Sequence, residues 1–187
     1  MKEKKDEELM AMLRRGNTAA FDLLFERYRK RIFTFLLRML GYDRQAAEDL
    51  LQEVFMKVFR NSSRYEPRAR FSTWLYTVAR NECLNHIKSS SCNGLQRTFS
   101  LDETDDTPAE PEQQLSSDLN EALEQAVETL PETYKEVFLL HAVEGLTHEE
   151  TGRILRMNPA TVRTNYHRAR TILQTKLSSV ISDTGEK

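Results

Sequence analysis

Apolar residues recur at three- and four-residue steps through most of the chain, the spacing of one face of an α-helix. Met10 and Leu13 open a short apolar face that stops at Gly16. Phe21, Leu24, Phe25, Tyr28, Ile32, Phe35, Leu36 and Met39 continue the pattern as far as Leu40 and Gly41. A third helix is predicted from near Asp43 to Arg60, with Leu50, Leu51, Val54, Phe55, Val58 and Phe59 inward. Glu48, Asp49, Gln52, Glu53 and Lys57 fall largely on its other side. A fourth runs from about Ser72 or Thr73 to Lys88, with Trp74, Leu75, Val78, Leu84 and Ile87 apolar. Between the third and fourth lies the loop NSSRYEPRARFST, with three arginines, two aromatics and a proline. No alternating pattern predicts a strand, so the expectation is an all-α protein.

The run from Leu146 to Leu177 has more punctuation than any other. Thr147 and Glu150 make a T-x-x-E capping box at the start of a short helix closed by Ile154 and Leu155. After a turn of four residues, Asn158 caps a second helix, with Pro159 in its first turn, where a missing N–H costs nothing. Two helices so joined form a helix-turn-helix, whose second helix enters the DNA major groove. On that helix Val162, Tyr166, Ala169 and Leu173 form the inward stripe. Arg163, Thr164, His167, Arg168, Arg170 and Gln174 lie largely off it, and Arg, Thr and Gln are residues that reach base edges. From Arg153 to Ser182 there are six basic residues and no acid, a sign that suits phosphate. The competing reading is a solvated basic helix on an ordinary bundle.

Charge sharpens the division of the chain. The net charge of −2 conceals +7 over residues 1–99, −10 over 100–130 and +1 over 131–187. Ser100–Asp118 is rich in acids, contains two prolines and has few large apolar residues. Such a segment buries too little surface to offset ordering, so it is expected to be a flexible acidic linker. It is either a solvated spacer or an acidic strand that occupies a basic channel of a partner, as nucleic acid does. The expected layout is two small helical domains, 1–95 and 119–187, joined by the linker 96–118, the second domain a helix-turn-helix.

Other chemistry is sparse. Cys83 and Cys92 are the only cysteines and suit two reduced thiols rather than a zinc site. His86, His141, His148 and His167 are scattered, with no H-E-x-x-H, phosphate loop or nucleophile motif, so neither an enzyme nor a cofactor or metal is expected. A charged N-terminus without an apolar core argues against a signal peptide, and no apolar run is long enough to span a membrane. A cytoplasmic protein is expected. Basic groups interleaved with aromatics around Asn61–Lys88 suit single-stranded nucleic acid, with cations along the backbone and rings stacked on bases. For Trp74 a core position is expected, four residues before Val78.

Three segments in order resemble bacterial extracytoplasmic-function sigma factors, the small two-domain class of RNA polymerase specificity subunits. They are AAEDLLQEVFMKVF (Ala46–Phe59), FSTWLYTVARNECLNHIK (Phe71–Lys88), and LPETYKEVFLLHAVEGLTHEETGRIL followed by NPATVRTNYHRARTIL. The resemblance implies that Glu48, Asp49, Gln52 and Glu53 contact a coiled-coil element of core RNA polymerase. It implies that the loop residues Asn61, Ser62, Ser63, Arg64, Tyr65, Arg68 and Arg70 capture a flipped base of the single-stranded −10 element. Unstacking that base costs a few kcal/mol, which the pocket must return. Arg80, Asn81 and Asn85 would lie beside the same strand, and Arg163, Thr164, His167 and Arg168 would face the duplex −35 element. The linker would run through polymerase channels, and an anti-sigma factor is implied as a further partner. A regulator of the response-regulator or repressor kind is the alternative, and the acidic face at Glu48–Glu53 argues against it.

Three positions depart from the family pattern. Thr151 stands where a large aliphatic is usual, Gly152 where Ala is usual, and Arg156 where Gly is frequent. Gly152 inside a helix is expected to cost about 1 kcal/mol against Ala.

Overall fold

The structure, a computed structural model, describes residues 4–65, 69–92 and 121–184, which are helices and their connections. The chain divides into two compact units between Ser100 and Leu101. The expected linker, 96–118, lies outside the described residues.

The first unit contains α1 (Asp6–Arg14), α2 (Thr18–Met39), α3 (Arg44–Arg60), a 3₁₀ turn (Ser62–Arg64) and α4 (Phe71–Cys92). Helix α2 packs against α1, α3 and α4, and α3 also packs on α4. Leu24, Ile32, Phe35, Leu36, Val54 and Val58 from the expected apolar faces are essentially inaccessible; on α4 it is Phe71, Leu75 and Tyr76 that are so, while Trp74, Val78, Leu84 and Ile87 are half-buried. Burying a Leu or Phe side chain contributes about 1.5–3 kcal/mol, so this seam outweighs any local propensity. Asp43 caps α3 by accepting from the Ala46 N–H at 3.0 Å. Helix α4 begins earlier and ends later than the periodicity alone predicts.

Phe59 departs from the expected inward face. It is 47% exposed, edge-on to Phe21 at 5.4 Å, and Met56 beside it is 42% exposed. Trp74 is half-buried between Tyr65 and Phe71, at 5.2 and 5.9 Å between ring centroids.

The second unit contains a helix over 121–128 (α5), α6 (Glu132–Phe138), α7 (His148–Leu155) and α8 (Pro159–Thr184). Helix α6 runs on into a wider π-helical turn, Leu139–Val143, in which the Glu144 N–H donates to the Leu139 carbonyl at 2.9 Å. Val127, Leu130, Val137, Leu140, Leu146, Ile154, Leu155, Val162, Ala169 and Leu173 form the core. A partly buried ion pair, Lys135 to Glu128 at 2.6 Å, ties α6 to α5.

Candidate nucleic-acid interface

Local chemistry sets the helix-turn-helix. The Glu150 N–H donates to the Thr147 hydroxyl at 3.1 Å, and the Thr147 N–H donates to the Glu150 carboxylate at 2.9 Å, so the capping box is closed in both directions. At the start of α8 the Ala160 N–H donates to Asn158 Oδ1 at 2.9 Å. The turn itself is Arg156–Asn158, three residues rather than four, because Pro159 already belongs to α8.

That turn reverses the expectation for Gly152. A Cβ there would lie 2.7 Å from the Met157 carbonyl oxygen, too close for any side chain. The Met157 N–H also donates to the Gly152 carbonyl at 2.8 Å. The chain folds back directly over Gly152, and Arg156 makes the reversal in the left-handed region, at φ 56°. Glycine's flexibility cost is therefore set against a close approach that only glycine allows.

Helix α8 presents the residues anticipated for duplex DNA. Val162, Ala169 and Leu173 are buried, and Tyr166 is half-buried. Arg163, Thr164, His167, Arg168, Arg170 and Gln174 are exposed. Two of them are not independent. Thr164 donates its hydroxyl to the Ala160 carbonyl at 3.1 Å, which leaves its methyl and lone pairs outward. Arg168 donates to the Tyr134 hydroxyl of α6 at 3.3 Å, which steadies a long cation before any partner arrives.

Sequence reasoning missed a histidine pair behind this helix. The rings of His141, in the π turn, and His148, the first residue of α7, stack at 4.1 Å. His141 Nδ1 is 2.7 Å from the Leu146 carbonyl, so that nitrogen carries the proton, and Tyr166 of α8 meets the His141 ring edge-on at 4.6 Å. His148 Nε2 is buried with no hydrogen-bond partner among the described residues. Burial holds the His148 pKa below its usual 6.5, and the adjacent His141 and Arg163 push the same way. Glu149 opposes them. The separation of the two histidines in sequence hides the pair; only the π turn brings them together.

The loop between α3 and α4 is tied at its entry to the last turn of α3. Asn61 donates to the Lys57 carbonyl at 2.9 Å, and Ser62 to the Phe59 carbonyl at 2.7 Å. Ser62–Arg64 forms the 3₁₀ turn, with Ser63 exposed. Tyr65 is buried against Phe71 and Trp74, and its hydroxyl has no hydrogen-bond partner among the described residues. Burial, followed by the charges of Glu7 and Asp6, pushes the Tyr65 pKa up to about 12. Arg70 is exposed at the mouth of α4, and Arg68 lies outside the described residues. On α4, Arg80 is half-buried, while Asn81 and Asn85 are exposed four residues apart, on one face.

The acidic set on α3 also shares a face. Asp49, Gln52 and Glu53 are exposed at steps of three and four, and Glu48 is half-buried. Arg44 pairs with Glu48 at 3.0 Å, and Gln45 donates to Asp49 at 3.2 Å. The exposed Met56 extends the row by one turn. No group of three or more metal-ligating side chains occurs among the described residues, and no described helix is long and apolar enough to cross a membrane.

A capped helix-turn-helix with an outward basic helix, paired with a separate helical unit, defines a two-module DNA-binding protein. Residues 24–91 match the family profile of Sigma-70 region 2, and residues 120–173 match Sigma-70, region 4. The chain is 34% identical to the ECF RNA polymerase sigma factor SigE of Mycolicibacterium smegmatis, over 91% of this chain and 68% of that one. It is also 34% identical to the RNA polymerase sigma factor CarQ of Myxococcus xanthus, over 85% of this chain and 90% of that one. Its fold is similar to that of the sigma factor RpoE solved in complex with the anti-sigma factor NepR from Bartonella quintana. That match has a TM-score of 0.66 at 20% identity and covers 84% of this chain and 96% of the other. The chain belongs to the extracytoplasmic-function (ECF) family of RNA polymerase sigma factors. Its function is promoter recognition and transcription initiation with RNA polymerase, with no enzymatic step of its own.

Proposed function

We propose a division of that work among residues. Residues 1–95 hold core polymerase and the −10 element, 96–118 form the connecting linker, and 119–187 hold the −35 element. Arg163, Thr164, His167 and Arg168 face the −35 major groove. Their exposure on a helix whose start is fixed by Asn158 and Pro159 is the observation that supports this most directly. Asn61, Ser62, Ser63, Arg64, Tyr65, Arg68 and Arg70 form the −10 loop, with Arg80, Asn81 and Asn85 beside it. Here the support is a loop tied down at Asn61 and at the Phe71 N–H, next to the half-buried ring of Trp74, which suits an unstacked base. Glu48, Asp49, Gln52 and Glu53 meet core polymerase, supported by their common face on α3.

Neither reader need bind tightly alone, since polymerase holds the two at fixed spacing and each raises the effective concentration of the other. The protein acts in the cytoplasm, and an anti-sigma factor is its inhibitory partner. Support for the latter is the anti-sigma complex in which the structurally similar RpoE was solved. The test is run-off transcription with core enzyme from the protein's own source on a genomic promoter library. Promoter-specific transcripts that require the added chain are expected. Their absence overturns the assignment.

A further inference from the structure

Among the described residues the first N–H of α4 meets no cap from its own turn. Arg70 occupies the capping position, its carbonyl accepting from the Trp74 N–H at 3.2 Å, and arginine has no acceptor to offer. The Phe71 N–H is satisfied instead by Glu7 of α1, at 3.0 Å and 64 residues away in sequence. A carboxylate there also faces the positive end of a 22-residue helix. The neighbouring Asp6 accepts from the Tyr28 hydroxyl at 2.5 Å and pairs with Arg27, which fixes α1 on α2. Tyr28 then meets the Phe71 ring edge-on at 5.4 Å, and α1 packs against the 3₁₀ turn of the loop. Helix α1 lies before residue 24, where the region 2 match begins.

We infer that Glu7 is a positioning residue for −10 recognition, which sets the loop between α3 and α4 through the Phe71 N–H without touching DNA. The loop enters from α3 through contacts with its own last turn, so that end moves with α3. Among the described residues its exit is held by Glu7 at the Phe71 N–H and by the rings of Tyr28, Tyr65 and Trp74 around Phe71. Removing the carboxylate takes away the hydrogen bond on the first N–H of α4, and with it one constraint on the placement of Tyr65 and Arg70. Core polymerase binding, placed on α3, does not depend on that turn.

This rests on the reading of residues 61–70 as the −10 loop, and the experiment separates the two. Holoenzymes made from core polymerase and the full chain select from a randomised single-stranded DNA library. Core affinity and thermal unfolding are measured alongside. Glu7→Ala is expected to lower enrichment of the preferred motif by roughly tenfold, the scale of one lost hydrogen bond to a charged group, with core affinity unchanged. Glu7→Gln keeps an acceptor at the same atom and is expected to retain selection. Unchanged selection by Glu7→Ala overturns the inference. So does a parallel loss of core affinity, or an equal loss of selection in both variants. Ser63→Ala and Arg70→Ala test the underlying reading. If they alter selection while Glu7→Ala does not, only the role of Glu7 fails. If they too leave it unchanged, the loop reading itself fails.

Discussion

Gly152 and Met157 approach so closely that a Cβ on the glycine would sit 2.7 Å from the Met157 carbonyl oxygen. Two effects of Gly152→Ala therefore oppose each other. Helix propensity favours alanine by about 1 kcal/mol. Forcing a methyl against a backbone carbonyl costs about 1–3 kcal/mol, and this carbonyl cannot swing away like a side-chain end. The steric cost is expected to win, so Gly152→Ala should lower the melting temperature of the isolated C-terminal unit and weaken binding to −35 duplex. A raised melting temperature would show that the turn yields.

The buried His148 nitrogen predicts an acid-sensitive helix-turn-helix. The folded pKa lies below the unfolded value of 6.5, chiefly through burial and then through His141 and Arg163, with Glu149 opposing. Tyr166 closes the pair from α8 without charge. Above the unfolded pKa both states hold a neutral ring and stability is at its full value. As pH falls from there toward the folded pKa, the unfolded chain takes up a proton that the fold resists, and stability is lost. Thermal melts from about pH 7.5 to about pH 5 should show wild type losing stability faster than His148→Gln. Carboxylates titrate in both proteins, so the difference between the two curves isolates the ring. Parallel curves would remove His148 from the account.

The capping box at Thr147 and Glu150 and the Asn158 cap were legible in the sequence because each closes within three residues. The inward stripe of α8 was legible because helical periodicity is local too. What escaped the sequence depends on tertiary approach. Nothing near Phe71 reveals that its N–H is met by Glu7, and nothing near His141 reveals that a π turn sets it on His148. Phe59 shows a different failure. It fits the apolar period of α3, yet the helix turns it partly outward beside Met56, where a pattern cannot distinguish core from an exposed apolar patch. Gly152 shows a third, since its cost as a helix residue is visible in sequence and the carbonyl above it is not.

Arg163 and Arg168 should separate by mechanism when each is replaced by Ala. A base-reading arginine is worth about 1–3 kcal/mol of discrimination, and its loss relaxes preference at one position. An arginine on phosphate weakens all sequences alike and reduces the salt dependence of binding. Arg168 is already tied to the Tyr134 hydroxyl, so Tyr134→Phe should reproduce a fraction of the Arg168→Ala effect. Titration of −35 duplex variants by the C-terminal unit at several salt concentrations reads both quantities. Wild-type affinity and salt slope in both arginine variants would exclude α8 as the recognition helix.

Charge reversal on α3 separates folding from assembly. Asp49 and Glu53 are exposed, and Asp49 accepts a hydrogen bond from the equally exposed Gln45 one turn before it. Exposed substitutions of this kind usually change stability by no more than about 0.5 kcal/mol. Asp49→Lys with Glu53→Lys should therefore melt close to wild type while failing to co-purify with core polymerase. Glu48 is expected to matter less, because Arg44 already pairs with it at 3.0 Å and a partner's cation must compete for the same carboxylate. Retained co-purification of the double variant would move the polymerase contact off this face. The exposed apolar pair Met56 and Phe59, one turn further along, is where a replacement set would then be sought.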